Sequence, residues 1–256
     1  MKSMQKKLAI QRGEMKTYQV IERRKRDYAA QSYDEWLRTN KGSLFDIYER
    51  ELFVRLVKEH KPLSVIDVGS GTGRMTEALA PLTKRVVGLD FSSQSLEVLL
   101  RRNINNCSAL CASGASLPFK NESFDVAVSC QVLPLMQLEE LLMTLGEIRR
   151  ILKPHGVFIF SAYNYDYWRY HGVIDTGEIG GSYRKHFSSG YVYHLARKFH
   201  FRIKELSYYK SLPLRLFRRK GWIAADRLMC AAPYLGRITS AYLVSVLQKE
   251  GNHGHC

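Results

Sequence analysis

The most constraining feature of this sequence is an apolar run that leads directly into a glycine-rich turn, Val65-Ile66-Asp67-Val68-Gly69-Ser70-Gly71-Thr72-Gly73. The apolar residues predict a buried strand over Leu63–Val68, and the residues after the turn predict a helix from about Arg74 to Ala80. Glycines let the backbone approach a ligand closely, and a helix N-terminus offers free N–H groups. The segment therefore predicts a ligand-binding turn at the end of a strand.

Short β-branched runs and amphipathic stretches alternate through the middle of the chain, which is typical of βαβ units and a parallel sheet. Further strands are predicted over Arg85–Leu89, Cys107–Cys111, Asp125–Ser129, Val157–Ser161, Phe201–Tyr208 and Ala241–Leu247. Further helices are predicted over Phe45–His60, Leu138–Leu152 and Gly190–Lys198, and after the serine pair Ser92–Ser93. We therefore expect an α/β fold with a Rossmann-like, seven-stranded, mostly parallel sheet and helices on both faces.

We expect one domain over residues 1–256, in which the N-terminal helices and two insertions form a cap. The expected parts are a basic N-terminal extension and lid over 1–42, a ligand-binding core over 43–162, and insertions over 163–185 and 210–236. No run of about 18 apolar residues is visible, and the N-terminus lacks the apolar centre of a secretory signal. Five irregularly spaced cysteines suggest reduced thiols, so we expect a cytoplasmic protein. The terminal His253-Gly254-His255-Cys256 is more typical of a disordered tail than of a metal site, and we expect no metal.

The formal net charge of +15 is concentrated in two segments. Met1–Ala30 carries six net positive charges and Arg197–Lys220 carries eight. One interpretation is a solvated face that aids solubility, and the other is a basic rim for an anionic substrate, a nucleic acid or a membrane surface. The charge alone leaves both open.

Two carboxylates refine the ligand expected at the turn. Asp67 lies at the strand end, where a dinucleotide needs no acid but a ligand with an ammonium group does, and Arg74 replaces the last glycine of a dinucleotide fingerprint. Asp90 ends the second strand, where a carboxylate can accept hydrogen bonds from both hydroxyls of a ribose. The alternative for Asp90 is an ordinary acid before the helix capped at Ser92, but the preceding glycine turn favours the ribose.

Four motifs in order, VIDVGSGTGR, VVGLD, ASLPFKNESFDVAVS and EIRRILKPHGVFIFS, resemble the class I S-adenosylmethionine-dependent methyltransferases, particularly the methyltransferase type 11 group. The resemblance runs from about Tyr33 to Phe160 and implies S-adenosylmethionine as cofactor. It implies that Asp90 binds the ribose, that Phe91 flanks the adenine, and that Asp67 faces the methionine amino group directly or through water. The residues implied to line the methionine and ribose portions are Gly69, Ser70, Gly71 and Gly73, and those beside the cofactor at the end of the fourth strand are Ser129, Cys130 and Gln131.

One departure from the family affects the adenine end. Ser113-Gly114-Ala115 occupies the place of a Gly-Asp-Ala element, so Ser113 replaces an aspartate that accepts from the adenine amino group. A neutral serine bond contributes only about 0.5–1.5 kcal/mol. The replacement leaves weaker adenine selectivity open but does not imply loss of cofactor binding, and a non-catalytic binding module stays an alternative.

The residues around the methyl acceptor are less defined. Tyr33-Asp34-Glu35-Trp36 resembles a lid with Tyr33 near the methionine end, although this segment could simply pack a peripheral helix. His171 and His186 are candidate general bases, with a packing role as the more common alternative for each. If the basic segments converge on the acceptor pocket, Arg215, Arg218, Arg219 and Lys220 should lie at its mouth.

The leading functional hypothesis is methyl transfer to a small or medium-sized metabolite, anionic or lipid-linked. An RNA methyltransferase is the runner-up because phosphate contacts need only Lys and Arg. The strand-four tip, Ser129-Cys130-Gln131-Val132, lacks the Asn/Asp-Pro-Pro-aromatic tetrad of enzymes that methylate base amines. No proline precedes Cys130, which disfavours a nucleophilic role for its thiol.

Overall fold

A computed structural model of the chain describes residues 35, 39–170, 178–179, 182–183, 185–209 and 237–251. The helices within this part are α1 (Asn40–Lys58), α2 (Arg74–Leu79), α3 (Ser93–Arg101), α4 (Leu138–Ile151), α5 (Tyr165–Tyr170) and α6 (Ser189–Lys198), with short 3₁₀ turns at Ala80–Leu82 and Leu133–Leu135. The strands are β1 (Ser64–Val68), β2 (Arg85–Asp90), β3 (Cys107–Cys111), β4 (Phe124–Cys130), β5 (Leu152–Asn164), β6 (Glu178–Ile179), β7 (Ser182–Tyr183), β8 (His186–Phe187), β9 (Phe201–Tyr209) and β10 (Tyr242–Lys249).

The central sheet has the order β3-β2-β1-β4-β5-β10-β9. β1 to β5 are parallel, and β10 lies antiparallel between β5 and β9. The Rossmann-like, mostly parallel sheet expected from the sequence is confirmed. The chain moves outward from β1 to β3 and then returns to β4, so the carboxyl ends of β1 and β4 flank the point where the strand order reverses. Open α/β sheets bind their ligands at such a point.

Helices cover both faces of the sheet because successive residues of each buried strand point to opposite sides. On one face, Ile66 packs with apolar residues of α4 and α6, such as Leu145 and Val192. On the other face, Val65 packs with apolar residues of α1 and α2, including the fully buried Phe53. Burial of a side chain of this size contributes roughly 1.5–3 kcal/mol. The two cores make the carboxyl edge of the sheet a rigid support for the loops that follow the strands.

Serine residues fix the start of two helices, as the sequence predicts. The hydroxyl of Ser92 accepts from the Ser95 N–H at 3.1 Å at the start of α3. Two serines, Ser188 and Ser189, precede the helix predicted from Gly190, and Ser188 is the cap of α6, accepting from the Tyr191 N–H at 3.1 Å. The α3 cap matters for the site because it immediately follows Asp90.

The fifth strand differs from the prediction, since it spans Leu152–Asn164 rather than Val157–Ser161. Pro154 and Gly156, which are typical of a helix end, follow directly after α4, which ends at Ile151, and lie in an irregular part of the strand. Phe124 of β4 pairs with Leu152 of β5, and Val126 of β4 pairs with Val157 of β5. β5 therefore has extra residues between these two paired positions, as in a β-bulge. Pairing with β4 on both sides of this stretch therefore lengthens the strand beyond the predicted Val157–Ser161.

The first insertion contains α5, the two-stranded β6–β7 sheet and β8. β8 pairs parallel to β5 and adds an eighth strand to the seven expected in the central sheet. The second insertion, 210–236, lies outside the described residues, as do Tyr33, His171 and the four basic residues proposed for the pocket mouth, Arg215, Arg218, Arg219 and Lys220.

Candidate functional site

The glycine turn joins β1 to α2, and its three glycines have positive φ angles of 79° at Gly69, 53° at Gly71 and 85° at Gly73. A Cβ at Gly69 would lie 2.5 Å from Val132 Cγ2, and one at Gly73 would lie 2.2 Å from Leu99 Cδ1. A Cβ at Gly71 would meet nothing within 4 Å. Two of the glycines therefore allow close packing of the turn, and Gly71 presents its backbone to open space.

Asp90 lies beside this open part of the turn. The Gly71 N–H donates to Asp90 Oδ2 at 2.8 Å, and the Ser92 N–H donates to Oδ1 at 2.9 Å. A carboxylate offers about four acceptor positions, so Asp90 can bind the turn and a ligand together. The structure thus brings together the glycine and the carboxylate that the sequence analysis selected separately.

Ser70 adds a buried polar group to the turn. Its side chain is 8% exposed, and its hydroxyl oxygen has no hydrogen-bond partner among the described residues. A buried polar group without a partner costs about 1–3 kcal/mol. A ligand that supplies a partner at the turn would remove this cost.

Asp67 has a structural contact that the sequence did not reveal. Its side chain is buried, and Thr76 Oγ1 in α2 donates to its Oδ2 at 2.7 Å. Burial raises the pKa of the Asp67 carboxyl to about 6, although the Thr76 bond and the nearby Arg74 act in the opposite direction. Asp67 therefore ties the end of β1 to α2, and its contact with a ligand ammonium group stays a prediction.

The loop after β3 begins next to Asp90, because the Ala112 N–H donates to the Asp90 carbonyl at 3.1 Å. Within the loop, the Ala115 N–H donates to Ser113 Oγ at 3.2 Å, and a Cβ at Gly114 would lie 3.2 Å from the Thr144 side chain.

Two residues of α4 hold the far end of this loop. The Leu117 N–H donates to Glu147 Oε2 at 2.7 Å, and Arg150 donates to the Leu117 carbonyl at 2.8 Å. The predicted adenine segment, Ser113-Gly114-Ala115, and the partly exposed Phe91 therefore lie on chain segments that adjoin Asp90 and are anchored to the sheet and to α4.

A second group of polar residues lies at the end of β4. We call it the Glu49 cluster, and it comprises Glu49, Arg74, Cys130, Gln131, Ser161 and Tyr209. Glu49, with no exposed surface, forms an ion pair with Arg74 at 2.8 Å. Tyr209 Oη donates to Glu49 Oε1 at 2.9 Å, and Gln131 Nε2 donates to Tyr209 Oη at 2.8 Å. The cluster thus connects α1, the start of α2 and the ends of β4 and β9.

Cys130 is an inert member of this cluster. The Arg74 guanidinium donates to its sulfur at 3.3 Å. Burial, together with the charge of Glu49, nevertheless raises the pKa of the Cys130 thiol to about 12. A thiol rather than a thiolate is present at neutral pH, which disfavours a nucleophilic role, as the sequence analysis expected.

The sequence analysis missed Glu49 and Tyr209 as members of the site. The available signal was a charged residue on the buried side of α1, between Tyr48 and Phe53, since an acid in such a position needs a partner. Tyr209 had no comparable signal because it is one of fifteen tyrosines.

His186 lies in a row of aromatic rings at the carboxyl edge of the sheet. Its ring contacts Tyr163 with centroids 5.7 Å apart, Tyr163 contacts Tyr242 at 5.4 Å, and Tyr242 stacks on Tyr209 at 5.3 Å. His186 is buried and also belongs to β8. These contacts favour the packing role over the general base, which stays a candidate.

Part of the basic segment lies away from the candidate site. Arg197 and Lys198 are at the end of α6. In the sheet, Arg202 of β9 is the register partner of Gln248 in β10, and Gln248 is the register partner of Val157 in β5. These cations are at the amino edge of the parallel strands, opposite Asp90 and Gly71. These described cations therefore do not contribute to a basic rim at the site, and the convergence predicted for Arg215, Arg218, Arg219 and Lys220 lies outside the described residues.

The sequence and fold of this chain are similar to those of known methyltransferases. Residues 66–160 match the family model of a methyltransferase domain. Malonyl-[acyl-carrier protein] O-methyltransferase 1 of Coxiella burnetii is 34% identical over 135 residues, which is 52% of this chain and 44% of that protein. The chain spans about half the length of the curated relatives it matches.

Two solved structures share the fold over most of the chain. One is from a complex between the Haloferax volcanii Trm112 methyltransferase activator and a methyltransferase. Its TM-score is 0.61 and its sequence identity 22%, and the match covers 85% of this chain and 97% of that chain. The other is an S-adenosylmethionine-dependent methyltransferase of Thermotoga maritima, with a TM-score of 0.60 and 20% identity, covering 88% and 97%. Residues 66–160 are a methyltransferase domain, and this match together with the S-adenosylmethionine-dependent neighbours indicates S-adenosylmethionine as the cofactor.

No helix in the part of the chain described by the structure is long and apolar enough to cross a membrane. Within the same part, no three His, Cys, Asp or Glu side chains are grouped closely enough to hold a metal ion.

Proposed function

We propose that this chain transfers a methyl group from S-adenosylmethionine to a small or medium-sized metabolite, anionic or lipid-linked. The observation that carries the proposal is the contact between Gly71 and Asp90. Through this contact, the Gly71 backbone, which faces open space, and the Asp90 carboxylate, which has spare acceptor positions, lie together where the strand order reverses. The methyltransferase domain match supplies the type of reaction.

The residues of the turn fit the cofactor. The space above Gly71 can receive part of the ligand, Ser70 Oγ can receive a hydrogen bond, and Asp90 can accept from two ribose hydroxyls. Gly69 and Gly73 contribute by letting the turn pack against Val132 and Leu99. When bound, S-adenosylmethionine supplies an electrophilic methyl group on a positively charged sulfur.

The remaining cofactor contacts follow from the sheet order. Asp90 ends β2, and β3 and its loop lie beyond it, so Phe91 and Ser113-Gly114-Ala115 would enclose the adenine. β4 lies on the other side of β1, so the backbone of Cys130 and Gln131 would pass the methyl end. Tyr33 and Asp67 would contact the methionine portion. Positioning of the acceptor against the methyl group would supply much of the rate.

The acceptor assignment rests on weaker support. The basic composition favours an anionic acceptor or surface. The Coxiella relative is named for a malonyl group carried on an acyl-carrier protein, which agrees with an anionic, carrier-linked acceptor. That match covers only half of this chain, so it supports the reaction more than the acceptor.

The test is transfer of tritium from methyl-labelled S-adenosylmethionine to a cell extract, with Asp90→Ala as a control that should label less at a subsaturating cofactor concentration. We expect label in metabolites of the extract, whether free, lipid-linked or carrier-linked. Label in bulk RNA would instead support the RNA alternative. Binding of S-adenosylmethionine without transfer would indicate a non-catalytic module, and binding of NADH in its place would refute the assignment.

A further inference from the structure

Gln131, at the end of β4, has two unfavourable features. Its φ angle is 60°, in the left-handed region that non-glycine residues rarely adopt. Its side-chain Oε1 is buried and has no hydrogen-bond partner among the described residues. Backbone strain and unpaired buried polar atoms each destabilise a fold, and they persist mainly where function requires them.

The orientation of the Gln131 amide follows from the chain of contacts behind it. Glu49, paired with Arg74, can only accept, so Tyr209 must donate its single hydroxyl hydrogen to Glu49. Tyr209 Oη can then only accept from Gln131, and the amide nitrogen is the donor. The carbonyl Oε1 is consequently left as an acceptor that needs a donor from elsewhere.

Tyr209 keeps its hydrogen because burial, with the charge of Glu49 as a smaller cause, raises its pKa well above the usual value. The backbone of Gln131 is also fixed, since its N–H donates to Ser161 Oγ at 3.2 Å. Both ends of the residue are therefore held, and rotation of the amide would leave the contact with Tyr209 without a donor.

The position of the amide indicates the source of the missing donor. The side chain extends to Tyr209 in β9, across β5 and β10, while Gly71 and Asp90 lie on the other side of β4. Seen from the end of β4, where the cofactor's methyl group is proposed to lie, the ribose site is on the β1 side and the Gln131 amide is on the β5 side. The amide is next to the aromatic row that contains Tyr209 and Tyr242.

We propose that Gln131 Oε1 accepts a hydrogen bond from an N–H or O–H group of the methyl acceptor, and that Tyr209 and Glu49 are positioning residues for this contact. The acceptor is then a molecule that carries a protic group close to the methylated atom. This inference rests on the proposed function.

The experiment compares Gln131→Met, which preserves length but removes the amide, with Gln137→Met as a matched control. Gln137 precedes α4, and its side chain makes no capping hydrogen bond. The probes are tritiated S-adenosylmethionine and a cell-lysate fraction that is freed of nucleic acid but retains metabolites, lipids and carrier proteins. We expect Gln131→Met to raise the half-saturating concentration of that fraction about three- to tenfold, the effect of one hydrogen bond. The dissociation constant of S-adenosylmethionine, measured by calorimetry, should change by less than about twofold.

Tyr209→Phe tests whether Tyr209 acts by positioning the Gln131 amide or by contacting the methyl acceptor directly. It should raise the half-saturating concentration without a matching fall in the maximal rate. Combined with Gln131→Met, it should add nothing further, because it acts through the same amide. An additive double variant would refute the positioning role.

The outcomes distinguish this inference from the proposed function. Absence of transfer by the unmodified protein would overturn both. Transfer with an unchanged half-saturating concentration in Gln131→Met would overturn the inference alone. An equal loss of S-adenosylmethionine affinity would show that the donor belongs to the cofactor.

Discussion

Substitution of the turn glycines by alanine should distinguish their contribution to folding stability from their contribution to ligand affinity. Gly71→Ala places a methyl group in open space, so its cost to folding is the left-handed backbone conformation alone, about 1–2 kcal/mol. Gly73→Ala has the same backbone cost and also forces a Cβ to within 2.2 Å of the buried Leu99 side chain. Overpacking of this kind costs about 1–3 kcal/mol more, so we expect about 2–5 kcal/mol in total.

Gly71→Ala should weaken ligand binding more than Gly73→Ala, although it destabilises the fold less. The added methyl group in Gly71→Ala occupies the space proposed for S-adenosylmethionine, so we expect its affinity to fall at least about tenfold. Urea unfolding gives the stability change, and titration calorimetry on the folded fraction gives the affinity.

Gly146→Ala is the control for these glycine variants. This residue lies inside α4, and its Cβ would be an ordinary 3.8 Å from Phe199. Alanine should stabilise the helix by about 0.5–1 kcal/mol and leave binding unchanged. Unchanged S-adenosylmethionine affinity in Gly71→Ala would refute the placement of the cofactor over the turn, and equal destabilisation by Gly71→Ala and Gly73→Ala would refute the packing argument.

Three further predictions concern single carboxyl and thiol groups. Asp90→Ala should weaken S-adenosylmethionine binding by about 1.5–3 kcal/mol in calorimetry, the effect of losing a charged hydrogen-bond partner; unchanged affinity in a folded variant would exclude the ribose contact. The pKa of Asp67 is raised from 3.8 to about 6 in the folded protein, so the protonated carboxyl favours folding. Its contribution should be fully present below about pH 4 and lost as the pH rises through 6, so that unfolding free energy falls by about 3 kcal/mol relative to Asp67→Asn across this range; parallel pH profiles would contradict this. Cys130, half-buried and with a pKa of about 12, should react with iodoacetamide much more slowly in the native than in the unfolded protein, as measured by peptide mass spectrometry, and rapid labelling of the native protein would contradict the raised pKa.

The features that the sequence predicted correctly are encoded within a few neighbouring residues. The strand β1, its glycine turn and the cap at Ser92 each need only local chemistry, namely apolar residues, glycine and a hydroxyl. The contact between Gly71 and Asp90 also follows, because parallel neighbouring strands place their carboxyl ends together. The roles of these residues toward the cofactor remain predictions.

The features that the sequence did not predict depend on contacts between distant parts of the chain. Glu49 lies 160 residues from Tyr209, and no local pattern connects an acid in the first helix with a tyrosine at the end of β9. β8 has only two residues, too few for any periodicity to appear. The extra length of β5 likewise depends on pairing with β4, which extends the strand through the proline and glycine that follow α4.

Arg74 connects the sequence argument with the structure. It occupies the position where a dinucleotide fingerprint has its third glycine, which there allows close packing of helix and strand. In this chain the side chain at that position is buried and pairs with Glu49 and Asp46 of α1. Removing one partner of a buried ion pair typically costs 3–5 kcal/mol, so the pair ties α1 firmly to the start of α2. The residue that argues against a dinucleotide site therefore also couples the N-terminal helix to the glycine turn, and through Glu49 and Tyr209 it orients the amide of Gln131.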